Sequence, residues 1–241
     1  MKMQLSGVSM VAVALASMAV LPACDNAVDN GTEGLPLQEQ TELFDAPQTP
    51  AAGDGTKACA TPRADLIQNV SLGTGSWGSW QACYSFCPFG SYAYTAQLRT
   101  EAAQGAGDDT AMNGIRFDCY DKVSAVYTGT ISSHAGFWGS WGSRAVTNPY
   151  LTGNPWVSGK MKIEAPVTGD DTAANQVTLK AASGLWSTPT ANTGWGTWGS
   201  ERSCPAGSAF CGVNTRVEGQ QGTGDDTALN GVAIACCAFT P

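Results

Sequence analysis

The chain has 241 residues, with 12 Lys and Arg against 20 Asp and Glu, a single histidine and a formal net charge of −8. That balance excludes the electrostatic footprint of a nucleic-acid binder, and no basic cluster marks a membrane surface. The 29 glycines and the absence of helical periodicity in the body exclude a helical bundle and point to an all-β class.

Residues 1–24 read as an export signal. Lys2 supplies a minimal positive start, and an apolar stretch runs from Val8 to Leu21, too short to span a bilayer. It ends in Leu21-Pro22-Ala23-Cys24, which resembles the lipobox of bacterial lipoproteins, where the cysteine thiol takes a diacylglyceryl group. Two outcomes are consistent with this start. One is lipidation at Cys24 and anchoring in a bacterial envelope; the other is plain secretion after cleavage near Ala23.

Residues 25–57 follow as an acidic tether. The stretch from Asp25 to Gly55 holds seven acids and no Lys or Arg, and it cannot bury enough apolar surface to offset its ordering entropy. Setting it aside with Lys2 leaves 11 basic and 13 acidic residues, a net of −2 for the body. Residues 58–241 therefore read as one domain. Beyond Cys24 it holds eight cysteines (Cys59, Cys83, Cys87, Cys119, Cys204, Cys211, Cys236 and Cys237), an even set that fits disulfides in an exported chain. Zinc is the competing reading, but one histidine and no paired C-x-x-C knuckles give it little to stand on. Neither metal nor cofactor is expected.

The body is one motif written three times, over about residues 58–132, 133–190 and 191–241. Gly75-Ser76-Trp77-Gly78-Ser79-Trp80 recurs as Gly136-Phe137-Trp138-Gly139-Ser140-Trp141 and as Gly194-Trp195-Gly196-Thr197-Trp198. Gly107-Asp108-Asp109-Thr110-Ala111 recurs as Gly169-Asp170-Asp171-Thr172-Ala173 and Gly224-Asp225-Asp226-Thr227-Ala228. First Trp and first Asp are 31, 32 and 30 residues apart, a fixed separation that marks a repeat architecture. Between them lies a basic-x-Glu element: Arg99 with Glu101, Lys162 with Glu164, Arg216 with Glu218. Period-2 alternation makes it a strand.

Each repeat thus reads as short strands around W-G-x-W, through the basic-x-Glu element and after the Asp pair (Gly114 to Cys119, Val177 to Ala181, Gly231 to Cys236). Two repeats add a fourth, at Ala125 to Ser132 and near Gly184 to Ser187. The third repeat stops without one, and Asp65 to Leu72 is expected to supply it by joining the chain's two ends. Three four-stranded antiparallel sheets about a pseudo-three-fold axis make a β-prism.

The G-x-W-G-x-W opening, the C-P-x-G step (Cys87-Pro88-Phe89-Gly90, Cys204-Pro205-Ala206-Gly207) and the GDDTA[LM]NG segment resemble the vitelline membrane outer layer protein I family over about residues 58–241. The resemblance implies a β-prism of Greek-key sheets, an extracellular surface-layer setting and a cleft lined by acids. With it come the expected bridges: Cys59–Cys83 as an extra pair, Cys87–Cys119, and Cys204 and Cys211 with Cys236 and Cys237, paired as Cys204–Cys236 and Cys211–Cys237. The second repeat departs in lacking cysteines.

Chemistry is weighed against this frame. The pairs Asp108–Asp109, Asp170–Asp171 and Asp225–Asp226 have the residue type for acid–base work on a glycosidic bond or for calcium. A demand made three times at matching positions is instead the mark of the fold, with Asp accepting backbone N–H bonds at a hairpin entry and Thr capping the turn. Glu101, Glu164 and Glu218 are expected as cross-strand ion pairs with their basic neighbours, or, at a buried cleft, as candidate general acids. Trp77, Trp80, Trp138, Trp141, Trp195 and Trp198 alternate across their strands. Core packing is expected for most of the eight indoles, and stacking on sugar for the rest. His134 has no repeated partner and no recognisable nucleophile motif, and reads as an exposed loop histidine before the second repeat. The leading reading is a non-catalytic, exported glycan-binding or structural-layer protein whose partners are glycans or matrix components. The alternative is a transferase or hydrolase acting on amino-sugar oligosaccharides through one of the three glutamates.

Overall fold

The computed structural model describes residues 59–103, 110–132, 134–136, 138–147, 153–167, 172–191, 193–221 and 227–240. Cys24, the acidic tether and all six aspartates of the Asp pairs lie outside the described residues. The described chain is entirely β, in three antiparallel sheets.

The first sheet is built on β4 (Ser91–Thr100), β5 (Met112–Asp121) and β6 (Tyr127–Ser132). The second uses β9 (Trp156–Ile163), β10 (Ala174–Ala181) and β11 (Trp186–Ser187). The third uses β14 (Ser208–Val217), β15 (Leu229–Ala238) and, from the other end of the chain, β1 (Leu66–Thr74). β1 runs antiparallel to β15 from Leu66 opposite Cys237 to Thr74 opposite Gly231.

The fourth position of every sheet is one strand broken into two short pieces: β7 (Ser140–Trp141) with β8 (Ala145–Val146), β12 (Thr197–Trp198) with β13 (Arg202–Ser203), and β2 (Ser79–Trp80) with β3 (Ser85–Phe86). These tryptophan segments do not pair within their own repeat. Trp141 of the second repeat sits opposite Arg99 of the first, Trp198 opposite Lys162 of the second, and Trp80 opposite Arg216 of the third. Each repeat hands its opening strand to the repeat before it, and the third sheet passes the relation back to the first repeat.

The interior is filled by one side of each long strand, including Leu98, Ile115, Phe117, Met161, Val177, Leu179, Val213 and Ile234, all essentially inaccessible to water. Phe117 and Phe210 meet edge to face across it, 6.4 Å between ring centres. A second cluster at the Tyr92, Tyr94 and Phe239 rings packs against Cys211 and Cys237.

Four disulfides join Cys59 to Cys83, Cys87 to Cys119, Cys204 to Cys236 and Cys211 to Cys237. Two of them tie one sheet to the next. Cys87 follows β3 of the third sheet and bonds β5 of the first; Cys204 follows β13 of the second and bonds β15 of the third.

Candidate functional site

The three glutamates share one arrangement. Thr110 Oγ1 donates to Glu101 Oε2 at 2.7 Å, Thr172 to Glu164 at 2.6 Å and Thr227 to Glu218 at 2.5 Å. Each threonine is buried and accepts in turn from an asparagine amide: Asn113, Asn175 and Asn230, at 2.6, 2.7 and 2.6 Å. Each glutamate N–H also bonds the carbonyl of an alanine (Ala111, Ala173, Ala228) held at φ of 51, 46 and 48°. Left-handed alanine costs about 1–2 kcal/mol, so three of them mark a turn that the surroundings enforce.

Among the described residues the basic neighbours make contacts other than the expected ion pairs. Arg99 donates to the carbonyls of Gly139 and Gly136, Arg216 to those of Gly78, Gly75 and Ser76, and Lys162 to that of Gly194. The basic residue therefore reaches across to hold the incoming tryptophan loop, and the glutamate, one residue beyond the strand end, holds the turn. Asn113 Oδ1 and Asn230 Oδ1 accept from the backbone N–H of Trp138 and Trp77. Asn175 Oδ1, their counterpart, is buried without a partner among the described residues.

The tryptophans depart from expectation. Only Trp156, which lies outside the motif, is a core residue, at 1% exposure. Trp77, Trp80, Trp186 and Trp198 are 44, 40, 41 and 38% exposed, and Trp138, Trp141 and Trp195 are half-buried. The reason lies in the intervening glycine. At Gly78, Gly139 and Gly196 the chain turns with φ of 72, 78 and 81°, and it passes so close to the backbone at Val217, Thr100 and Ile163 that no side chain fits. The loop is thereby held against the end of the neighbouring strand, and its indoles stay exposed or half-buried. His134 is exposed, and its carbonyl accepts from Thr215.

One cluster breaks the three-fold pattern. On the outward face of the second sheet, Lys160 Nζ lies 5.5 Å from the ring centre of Trp186 and 5.4 Å from that of Trp198. Lys180 pairs with Glu201 at 3.2 Å and lies 5.6 Å from the Trp186 ring. The Ser158 hydroxyl donates to Glu201 at 2.7 Å and, with the Lys180 ammonium, holds that carboxyl below its ordinary pKa. Sequence reasoning missed Lys160, Lys180, Trp186 and Glu201 because none of them recurs in the other repeats. Their signal was the departure of the second repeat at Lys160, Lys180 and Trp186, and of the opening of the third at Glu201, from the matching stretches elsewhere.

The prism's edges differ as well. Ser85 Oγ donates to the Ser132 carbonyl at one edge, and the Thr190 N–H to the Ser143 carbonyl at another. At the third, between β1 and the 199–202 segment, a groove of about 550 Å³ opens, lined by polar groups such as Gln68, Asn69, Ser71, Ser200 and Arg202. Among the described residues no group of His, Cys, Asp and Glu is placed to hold a metal ion.

Solved structures that overlap in part with this chain include a mannose-binding jacalin-related lectin from Ananas comosus, at 13% identity and TM-score 0.46, covering 73% of this chain and 100% of that one. The Calystegia sepium agglutinin overlaps at 11% identity and TM-score 0.45, over 72% of this chain and 97% of that one. Sequence relatives are nearer. The human vitelline membrane outer layer protein 1 homolog is 38% identical over 167 residues, 68% of this chain and 79% of that protein. Its mouse counterpart is 38% identical over 183 residues, 73% of this chain and 86% of that protein. Residues 67–239 match the family described as vitelline membrane outer layer protein I, to which this chain belongs.

Proposed function

We propose that this chain is an exported, non-catalytic protein that binds glycans as part of an extracellular or envelope surface layer. The observation that carries the reading is the placing of its tryptophans: seven of eight are exposed or half-buried on a disulfide-braced scaffold. An apolar ring costs free energy in water, and a sugar ring, with its C–H faces and hydroxyls, is a partner that covers it without needing an apolar pocket. The relatives named for the vitelline membrane's outer layer support the setting. The engagement of Glu101, Glu164 and Glu218 by buried threonine hydroxyls at three equivalent places supports a structural role for them and counts against the transferase or hydrolase alternative. The aspartate pairs, which lie outside the described residues, are proposed as ligand contacts together with the tryptophans.

The test is titration of the oxidised protein with a glycan panel that includes chitin and peptidoglycan oligomers, followed by tryptophan fluorescence. A saturable, sugar-specific change is expected; a flat response across the panel sinks the reading. For attachment, we propose lipidation at Cys24, motivated by Leu21-Pro22-Ala23-Cys24. Cys24→Ser is then expected to move the protein from the membrane to the soluble fraction of an expressing bacterium, and continued membrane association of that variant would refute it.

A further inference from the structure

The outward face of the second sheet carries side chains that the other two lack. By register, Lys160 occupies the place of Gln97 in the first sheet and Asn214 in the third, and Lys180 the place of Asp118 and Ala235. In the first sheet Arg116 covers Trp141 at 4.3 Å, and Asp118 pairs with Arg144 at 3.0 Å. In the third, Ala233, Ala235 and Asn214, whose amide donates to the Gln81 carbonyl, are buried and put no charge at these places.

Lys160 differs from an ordinary surface lysine. It is half-buried between two exposed indoles, and its ammonium has no hydrogen-bond or ion-pair partner among the described residues. Ring faces replace part of its hydration with a weak attraction and leave its N–H donors directed at no acceptor. An anion arriving there gains charge-assisted hydrogen bonds in a partly dehydrated setting. Lys180 is paired with Glu201 and Lys162 is held by the Gly194 carbonyl, so among the described ammoniums of this face Lys160 is the open one. The seat that Lys180 and Ser158 give the Glu201 carboxylate shows that this face accommodates an acid group beside an indole.

The two ring centres, each about 5.5 Å from the same nitrogen, stand within about 11 Å of each other, the scale of neighbouring sugar units. We infer that the outward face of the second sheet binds an anionic glycan, with the acid group of one sugar on Lys160 and adjoining pyranose rings against Trp186 and Trp198. This rests on the glycan reading above and narrows it to one face and one ligand class. The aromatic surface supplies sequence-tolerant contact, and Lys160 supplies the selection for charge.

The test is calorimetric titration of the full oxidised chain with oligogalacturonate and with its methyl ester, the same sugar without the charge. The acid form is expected to bind, and binding is expected to weaken at least about tenfold on esterification or in Lys160→Gln. It is also expected to fall with added salt. Trp186→Ala and Trp198→Ala are expected to weaken it further, with unchanged circular dichroism because both rings lie at the surface. A sulfated oligosaccharide run in parallel tells a sulfate from a carboxylate as the acid group. Equal affinity for acid and ester, or wild-type affinity in Lys160→Gln, overturns this inference while leaving the glycan reading intact. No binding to any glycan removes both.

Discussion

Gly139 and Gly184 have nearly the same backbone, φ 78 and 88°, and very different surroundings. A Cβ on Gly139 would run into the Thr100 carbonyl group, whereas one on Gly184 meets nothing within 4 Å. Gly139→Ala is expected to cost about 2–4 kcal/mol by denaturant unfolding, from backbone strain and overlap together. Gly184→Ala is expected to cost only about 1 kcal/mol. Equal losses would show that the close approach of the tryptophan loop to the strand end is not what the glycine serves. Arg63 presents a second case. Its guanidinium donates to both Asp65 oxygens, at 2.9 and 2.6 Å, and to the Ser91 carbonyl at 2.6 Å, with the Tyr92 ring 5.1 Å away. The hydrogen bond from Arg63 holds the Asp65 carboxyl below its ordinary pKa. A lowered folded pKa stabilises fully above the unfolded value, about 3.9, and the gain disappears as pH falls through the folded one. Asp65→Asn is therefore expected to be less stable than the parent at neutral pH, with the gap closing below about pH 4; a pH-independent gap would exclude the ion pair as its source. The sequence displayed these residues unevenly. The repeated W-G-x-W glycines announced a backbone requirement, but Arg63 and Asp65 occur once and carry no pattern.

At the scale of the element, the tryptophan strands show where alternation stops being a guide. Spacing placed one ring of each pair inside, which holds only for a continuous strand, and β2, β7 and β12 are two residues long and flanked by turns. The basic-x-Glu strand was legible as a strand, but its glutamate was misassigned because the strand ends one residue earlier. The broken outer strands also expose an irregularity in the cross-links. Cys87 and Cys204 donate their N–H groups to Cys211 and Val157, and Thr147 donates its own to Tyr94 in the same pattern. Ala181 stands on β10 where Cys119 and Cys236 stand on β5 and β15, six residues after Asn175, Asn113 and Asn230 respectively. Thr147 and Ala181, both buried, are thus the place of a third sheet-to-sheet bridge that the second repeat lacks. The double variant Thr147→Cys with Ala181→Cys is expected to oxidise and to raise stability by about 2–4 kcal/mol. Free thiols after air oxidation, or no gain in the denaturation midpoint, would show that these positions do not match the other two.

At the scale of the whole molecule, the β-prism was legible because two motifs kept their separation three times, which fixes the number of sheets before any strand is placed. The handing of each opening strand to the preceding repeat was not legible, since nothing local distinguishes pairing within a repeat from pairing across its boundary. The asymmetric face at Lys160 was hidden for the opposite reason: a search for repeats discards what is unique. The pairing of β1 with β15 has a consequence for how the chain is made. Its earliest strand must wait for its last, so the third sheet cannot assemble until the chain has been made through residue 238. Cys59 and Cys83 can meet before the sheet they brace exists, whereas Cys204 and Cys211 have no partner until Cys236 and Cys237 have been made. Closing the ring and pairing Cys204 and Cys211 therefore depend on the same late-made strand.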